Sequence, residues 1–436
     1  MGRGDYQYPI PIKMENFKQE AKILDSKDPL SKFKELFIRP ENLIYLDGNS
    51  LGMLPKKTSD LSRQIVDHQW GNRLIRGWNE HWLDLSGRIA KKIAALTGAL
   101  EEEIFVGDST SLNLYKLLFA ALKYRERFYE IVSDDLNFPT DLYVIQGLIK
   151  HQFKKHRLLL MKSENGISMS KDRWKEHINA KTAVVSLSHV TYRSSFMYPM
   201  QELTEWAHDK GSLVLWDLSH AVGAVELELN KWKVDLAVGC TYKYLNGGPG
   251  APAFLYVSKD LQKKLSNPVS SWFGHQKPFD FDLNYKAADS IDRFAIGTPS
   301  ILSLAAVEPG LDIILDAGIK NIRKKSGQQT AYLFRMIEKE LLPLGFHMAS
   351  PKIIVDRGAH ISIQHEEAFR INRALIEPEK GEKSIIPDFR PPNIIRLGIA
   401  PLYISFGDLF ETVIRLKEII NNKEYRRFSQ KRPVVT

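Results

Sequence analysis

Two side chains stand in settings where chemistry is expected of them. Lys243 lies in Gly239-Cys240-Thr241-Tyr242-Lys243-Tyr244-Leu245-Asn246-Gly247-Gly248-Pro249-Gly250, just past a short apolar stretch and before a glycine-rich turn. Twenty-six residues upstream, Ser212-Leu213-Val214-Leu215-Trp216-Asp217 reads as a buried strand that delivers a carboxylate at its C-terminal end. An amine whose pKa is lowered by burial or a nearby cation becomes a nucleophile toward an aldehyde. A carboxylate held in apolar surroundings can keep a ring nitrogen protonated. Pyridoxal phosphate asks its protein for both groups, a Schiff-base lysine and an acidic partner for the pyridinium nitrogen. Taken singly, each residue reads as an ordinary loop lysine or strand-ending cap, because polar residues at element ends are mostly structural. Together, in that strand-and-turn context, they point to the cofactor.

The elements that must position them follow from bulk and pattern. A chain of 436 residues exceeds one simple core and suits a large α/β lobe with a smaller one. With 43% hydrophobic and 26% charged residues it has the balance of an ordinary globular protein. No run approaches the ~20 apolar residues that span a bilayer. Met1-Gly2-Arg3-Gly4-Asp5-Tyr6 lacks the plan of a signal peptide and has Tyr6 where a myristoylation signal wants Ser or Thr. The single cysteine, Cys240, excludes an internal disulfide and a cysteine-built zinc site, and reads as a buried core thiol. A cytoplasmic protein with no metal and no membrane partner is expected. The net charge of +9 is carried by segments such as Lys320–Lys325 and Lys423–Arg432, without any helix-turn-helix, RNP or zinc-finger pattern. It reads as solubility or anion steering and not as nucleic-acid binding. The glycines at 247, 248 and 250 lack the Gly-Lys-Ser/Thr ending of a Walker loop.

Residues 1–40 read as helix and extended arm, with helical spacing over Phe17–Leu24, and Tyr45–Gly52 as a strand running into a tight turn. Thr182–Leu187, Leu213–Asp217, Asp235–Gly239 and Ala253–Tyr256 are short apolar runs separated by helices or turns. That alternation predicts a mostly parallel sheet covered on both faces, with ligands beyond the carboxyl ends of its strands. Pro299 opens a predicted long helical stretch to about Leu342. A second lobe follows as strand (Gly358–Ile363), helix (Glu366–Leu375), strand (Ile394–Ile399) and closing helix (Phe406–Asn421), and the tail after Glu424 is expected to be loosely held. The expected division is an N-terminal arm (1–55) packing with the small lobe, a large cofactor domain (56–305) and a small C-terminal domain (306–436).

Six blocks occur in order: Asp47-Gly48-Asn49-Ser50-Leu51-Gly52, Phe138-Pro139-Thr140-Asp141, Trp216-Asp217-Leu218-Ser219-His220, Thr241–Gly250, Ser271-Trp272-Phe273-Gly274-His275 and Arg396-Leu397-Gly398-Ile399-Ala400-Pro401-Leu402-Tyr403. From about residue 45 to the end of the C-terminal lobe, the chain resembles kynureninase of the bacterial type. That is a pyridoxal 5'-phosphate hydrolase of the aspartate-aminotransferase-like fold type I, an α/β fold. The resemblance implies that Lys243 holds the cofactor and later moves the Cα proton, with Asp217 at the pyridinium nitrogen and His220 close by. Phe138 would stack on the ring, with Pro139, Thr140 and Asp141 completing that turn. Thr110 and Ser111 precede the apolar helix Leu112–Leu122, where a helix N-terminus can bind phosphate. Ser188 matches a position at the ring's O3′ edge and phosphate side, and Tyr242 a phosphate ligand that also acts as acid/base. Trp272 and Thr298 would reach the cofactor across the interface of a homodimer with shared active sites.

Arg396 would clamp the substrate α-carboxylate, for which a planar guanidinium offers two parallel donors. An arginine inside Ile394-Ile395-Arg396-Leu397 is costly unless paired. Ser50 and Trp78 complete the substrate set. The implied reaction is hydrolysis of L-kynurenine to anthranilate and L-alanine in tryptophan/kynurenine catabolism, and Trp78 with Gly297-Thr298 resembles the kynurenine-preferring type over the 3-hydroxykynurenine type. The alternatives within the fold are a class V aminotransferase and a cysteine desulfurase. A desulfurase typically has His before its lysine and a mobile cysteine. Here Tyr242 precedes Lys243, and Cys240 sits on the adjoining strand.

Overall fold

The computed structural model describes residues 14–379 and 381–431. The strand β1 (Leu43–Tyr45) precedes a seven-stranded sheet made of β2 (Ile104–Val106), β3 (Glu130–Asp134), β4 (Arg157–Met161), β5 (Thr182–Ser188), β6 (Leu213–Asp217), β7 (Leu236–Gly239) and β8 (Phe254–Val257). Its order is β2-β8-β7-β6-β5-β3-β4. The pairs from β4 through β3, β5 and β6 to β7 are parallel, while β8 runs antiparallel to both β7 and β2. Every residue of β5, β6, β7 and β8 is buried. Such strands read as continuous apolar runs because helices cover both faces.

Side chains alternate across this sheet, so each central strand feeds two cores. Leu213 and Leu215 join one apolar cluster with Leu114, Leu117 and Leu118 of the helix Thr110–Tyr124, while Val214 and Trp216 join the other with Leu203 and Ala207 of the helix Met200–Asp209. The strand is therefore held from both sides. Its last residue, Asp217, has a fixed position at the sheet's carboxyl edge, next to Ser188 in register on β5.

The second sheet has the order β12-β13-β10-β9, built antiparallel from β9 (His347–Met348), β10 (His360–Gln364), β12 (Asp388–Arg390) and β13 (Ile394–Gly398). A short strand β11 (Ser384–Ile386) pairs in parallel with β1. The helix Met14–Ser26 also meets the C-terminal part of the chain. Asp25 accepts hydrogen bonds from the Phe406 and Gly407 amides at the start of the helix Phe406–Asn421. Met1–Lys13, on which the first part of the expected arm falls, lies outside the described residues.

Three expectations need correction. The stretch from Pro299 is three helices, Ile301–Ala305, Glu308–Ala317 and Ile319–Glu340, because Gly318 at φ +77° breaks the chain direction between the last two. The basic segment Lys320–Lys325 is not all solvated: Lys325 is buried, with its ammonium 2.7 Å from Asp28 Oδ2. The tail beyond Glu424 is held through residue 428, since Arg415 grips Glu424 with both guanidinium nitrogens, and Tyr425 and Phe428 pack against the core. The strands β3 and β4 escaped the sequence reading because charged residues interrupt the apolar signal at their ends, and β9, β11 and β12 are too short to show a period. Among the described residues, no helix is long and apolar enough to cross a membrane.

Gly310, inside Glu308–Ala317, lets that helix lie directly on the loop after Lys243. A Cβ there would sit 2.2 Å from the Leu245 carbonyl oxygen. Gly310→Ala should therefore destabilise the protein by about 1–3 kcal/mol, the usual cost of overpacking. In an open helix the same change would stabilise by ~0.8–1.0 kcal/mol. Urea midpoints of the two proteins give the sign, and a stabilised variant would refute the close approach.

Candidate active site

Strand ends and loops bring the central residues together. The chain leaves β7 at Gly239 and turns through Thr241, whose hydroxyl donates to the Pro252 carbonyl at 2.6 Å, while the Gly247 amide donates back to the Thr241 carbonyl at 2.9 Å. The Gly52 amide donates to the Tyr242 carbonyl at 2.7 Å. A Cβ on Gly52 would lie 2.3 Å from the Lys243 carbonyl oxygen. The Asp47–Gly52 turn thus presses on the lysine loop, and only glycine permits it. Lys243 Nζ lies 3.1 Å from His220 Nε2 and 5.7 Å from the centre of the Tyr242 ring.

Two buried carboxylates face this amine. Asp217 accepts the Ser219 amide at 2.7 Å. Burial pushes its pKa up, while the Ser219 hydrogen bond and the charge of Lys243 pull it down. Asp141, at the start of the helix Pro139–His151, is pushed well up by burial first and by the charge of Asp217 second, and its Oδ2 has no hydrogen-bond partner among the described residues. His220 is held well below the ordinary imidazole range by burial and by the charges of Lys243 and Arg396, and its Nδ1 has no hydrogen-bond partner among the described residues. Phe138 remains exposed, edge-on to Tyr192 with ring centres 5.2 Å apart. Asn137, which the sequence reading passed over, fixes this turn: its Oδ1 accepts the Phe138 amide at 2.9 Å and the Ser188 hydroxyl at 2.6 Å.

At the other end, the helix Thr110–Tyr124 is capped by Ser109, whose hydroxyl accepts the Leu112 amide. Thr110 and Ser111 are thus the first helical residues and not the cap, and their amides belong to the turn that has no intrahelical partner. Buried Lys116 pairs with Asp108 at 2.7 Å and so secures the loop entering this helix. Ser109, Thr110, Tyr242, Pro249, Gly250, Gly297 and Thr298 line a cavity of about 1380 Å³. Burial, followed by Cys240 and Asp217, raises the Tyr242 pKa, so its hydroxyl keeps its proton at neutral pH.

This donor set fits pyridoxal phosphate. The amine stands opposite two buried carboxylates, Asp217 to meet a protonated ring and Asp141 with an oxygen unpartnered among the described residues. An exposed aromatic face lies at the side, and free amides of a helix N-terminus share a cavity with a tyrosine hydroxyl.

Arg396 differs from expectation. It is fully buried on β13, with Nη1 donating to the Tyr192 carbonyl at 2.7 Å and Nη2 to Ser50 Oγ at 3.0 Å. Nη2 also contacts Asp388, its cross-strand partner on β12, and Asp388 in turn pairs with Arg390 at 2.9 Å. The burial of Arg396 is therefore offset inside the chain, and burial alone does not demand a substrate carboxylate. Its Nε has no hydrogen-bond partner among the described residues. The sequence reading passed over Asp388, whose cross-strand pairing with Arg396 leaves no local pattern.

Thr298 shares the cavity with Tyr242 and Thr110, whereas Trp78 and Trp272 do not line it. Trp78 has Trp82 and Phe273 as ring neighbours. Trp272 is 40% exposed among Phe273, Phe279 and Phe281. Cys240 is buried, with its thiol directed at the Ser219 carbonyl 3.7 Å away, and burial raises its pKa. It lacks the mobility and the thiolate character that a persulfide-forming cysteine needs.

Family models match the chain in two places: class-V aminotransferase over residues 44–352 and the kynureninase C-terminal domain over residues 322–416. A kynureninase of Pseudomonas fluorescens is 38% identical over 414 residues, 94% of this chain and 96% of the relative. One of Burkholderia mallei (strain SAVP1) is 37% identical, over 94% and 97%. Among solved structures, the apo cysteine desulfurase of Thermococcus onnurineus NA1 superposes with a TM-score of 0.75 at 17% identity, over 92% of this chain and 98% of that one. A C-DES mutant with glycine covalently linked to its PLP cofactor gives 0.77 at 16%, over 88% and 99%. At those identities the likeness is one of fold.

Asp47 supplies a test of the electrostatics around Arg396. Burial first, then the charge of Asp388, raises its pKa from 3.8 to about 6. The folded protein then holds this proton more tightly than the unfolded chain does. The group's contribution to stability is fully present below pH ~3.8 and is lost as pH climbs through about 6. Asp47→Asn should flatten the stability change between pH 4 and 6, read as urea midpoints across that range. An unchanged slope would remove Asp47 from it.

Proposed function

Because this chain belongs to the kynureninase family and is a pyridoxal-phosphate-dependent hydrolase, we propose that it cleaves the Cβ–Cγ bond of L-kynurenine to give anthranilate and L-alanine. The observation that carries the reading is Lys243 Nζ, 3.1 Å from His220 at the carboxyl edge of the strands that bear Asp217 and Ser188. When bound, pyridoxal phosphate supplies an electron sink for the carbanion at the substrate Cα.

The protein's own groups do the rest. Asp217 would receive the pyridinium nitrogen, with Phe138 against the ring face and Ser188 at the ring's edge. The amides of Thr110 and Ser111 would hold the phosphate with Tyr242, and Thr298 and Trp272 would come from the second subunit. Arg396 and Ser50 take the α-carboxylate, with Asp388 giving up part of its hold on Nη2. Lys243 Nζ then removes the Cα proton. Water adds to the γ-carbonyl and its oxygen stays in the anthranilate carboxyl. Tyr242, protonated at neutral pH, carries a proton toward the departing alanine carbon. Trp78 offers ring contact but no acceptor matched to a ring hydroxyl, and so favours L-kynurenine over the 3-hydroxy form.

The reading extends to the assembly and the cell. A homodimer completes each site, and its support is the exposed group Trp272, Phe279 (55%), Phe281 (73%) and Leu283 (99%), a patch of the kind that marks an interface. The chain divides into an arm (1–55), a large domain (56–305) and a small one (306–436). The enzyme works in the cytoplasm, in tryptophan and kynurenine breakdown and in the supply of NAD precursors.

Purified protein loaded with pyridoxal phosphate should be yellow and should form fluorescent anthranilate from L-kynurenine. A yellow protein forming none would turn the reading toward transamination. The kcat/KM for L-kynurenine should exceed that for 3-hydroxykynurenine, and equal values would remove Trp78 from the choice. Tyr242→Phe should keep the visible band and lose ~10² to 10⁴ in turnover, the usual share of general acid/base help. Sedimentation of the loaded enzyme should give a dimer, and a fully active monomer would refute the shared sites.

A further inference from the structure

Lys116 is fully buried on the helix Thr110–Tyr124, whose Leu114, Leu117 and Leu118 pack into an apolar core. A buried ion pair is often no more stable than apolar residues of similar volume, so stability alone does not call for an ammonium here. Its contacts show what it holds. The ammonium donates to Asp108 Oδ2 at 2.7 Å and to the Phe294 carbonyl at 2.7 Å, and it lies 5.0 Å from the centre of the Phe105 ring. Phe105 and Asp108 belong to one stretch that lines the cavity, residues 105–110, and Phe294 directly precedes another, residues 295–300. Asp108 is also where the turn into the helix changes hand. Its φ is +58°, a left-handed conformation that persists in a residue other than glycine when the surroundings hold it. The Ala253 amide donates to the Asp108 carbonyl and the Gly107 amide to the Ala253 carbonyl, both at 2.9 Å, while Asn113 Nδ2 donates to the Gly107 carbonyl at 2.9 Å. Lys116 is the ion pair that holds the side chain of this turn.

We propose that Lys116 is a positioning residue for the phosphate subsite. Through Asp108 it fixes the left-handed turn that sets the Thr110 and Ser111 amides, and through Phe294 it ties that turn to the stretch bearing Thr298. Lys116 does not itself line the cavity, so it acts through these neighbours. Only Gly107, Asp108 and Ser109 separate β2 from the helix, and a change of φ at Asp108 would re-aim the first helical amides. A helix N-terminus binds phosphate through such amides. Donors already in place lower the ordering cost when the anion arrives. The same link reaches the lysine loop, because Ala253 follows Pro252, whose carbonyl accepts the Thr241 hydroxyl at 2.6 Å. The inference rests on the reading of the Thr110 turn as the subsite for the phosphate of pyridoxal phosphate.

The test compares capture of two aldehydes, pyridoxal phosphate and pyridoxal, which lacks the phosphate. Apo forms of the parent, Lys116→Met, Asp108→Asn and the double variant are titrated with each, and the visible band gives the affinities. Both single variants should bind pyridoxal phosphate about tenfold more weakly than the parent, the loss equivalent to one well-made hydrogen bond. Their affinities for pyridoxal should stay within about twofold of the parent, because the lysine end of the site is untouched. A general structural defect would weaken both aldehydes alike. The double variant should lose less than about twofold beyond either single one, since both changes cut the same link. Melting temperatures establish that each apo form is folded. If Lys116→Met does not fold, Asp108→Asn carries the comparison, because asparagine accepts the left-handed turn. Equal losses for the two aldehydes, multiplied losses in the double variant, or unchanged capture of pyridoxal phosphate overturn the proposal and leave the cofactor reading standing. A parent that binds both aldehydes equally overturns the phosphate subsite and this proposal with it. A parent with no visible band overturns the cofactor reading itself.

Discussion

The carboxylate of Asp217 is taken out of water at the end of a strand that is buried on both faces, and its site compensates it with an amine across a cleft. Desolvation of a carboxylate is tolerated only with hydrogen bonds and a nearby positive charge. The Ser219 amide and Lys243 supply these. The sheet must therefore be rigid enough to hold the acid in place, and the loop after β7 must return the lysine to it. Much of the surrounding structure serves that loop: the Asp47–Gly52 turn presses on it from one side and Gly310 from another.

The lysine end of the cleft and the arginine end are built differently. Beside Lys243, burial outweighs the compensation that Asp217 and Asp141 receive and raises the pKa of both carboxyls, a condition that suits a charged ring. Around Arg396 the charges are balanced within the chain, since Asp388 sits between Arg396 and Arg390 and Asp47 lies close by. A balanced buried pair adds little stability over an apolar one, but it keeps a guanidinium oriented and dry. A ligand carboxylate arriving there enters a network with its donors already aimed, which lowers the ordering cost of binding.

The most legible parts of the fold were those governed by strong local pattern. The run Leu213–Asp217 and the closing helix Phe406–Asn421 lie where the apolar spacing places them. Short strands such as β9 and β12 left no pattern, and the break at Gly318 was hidden inside a helical composition. At the site, Lys243 and Asp217 could be read from their places at two strand ends, and His220 followed from the family resemblance. Asp388 could not, because its partner lies in another strand and pairing across a sheet leaves no mark in local order.

The sequence by itself determined the reacting groups. Lysine, aspartate, tyrosine and arginine have chemistries that no fold can supply in their absence, and the places of Asp217, Tyr242 and Lys243 after apolar runs assigned them to the carboxyl edge of a sheet. Tertiary structure alone decided how those groups are charged, paired and approached. It set Asp388 against Arg396, brought Lys116 to the Phe294 carbonyl, and made Ser109 the cap of the helix that begins with Thr110. The physical reason is range. Residue type and strand alternation act over a few positions of chain, whereas desolvation, ion pairing and ring contact depend on distances through space between elements separated by as many as hundreds of residues.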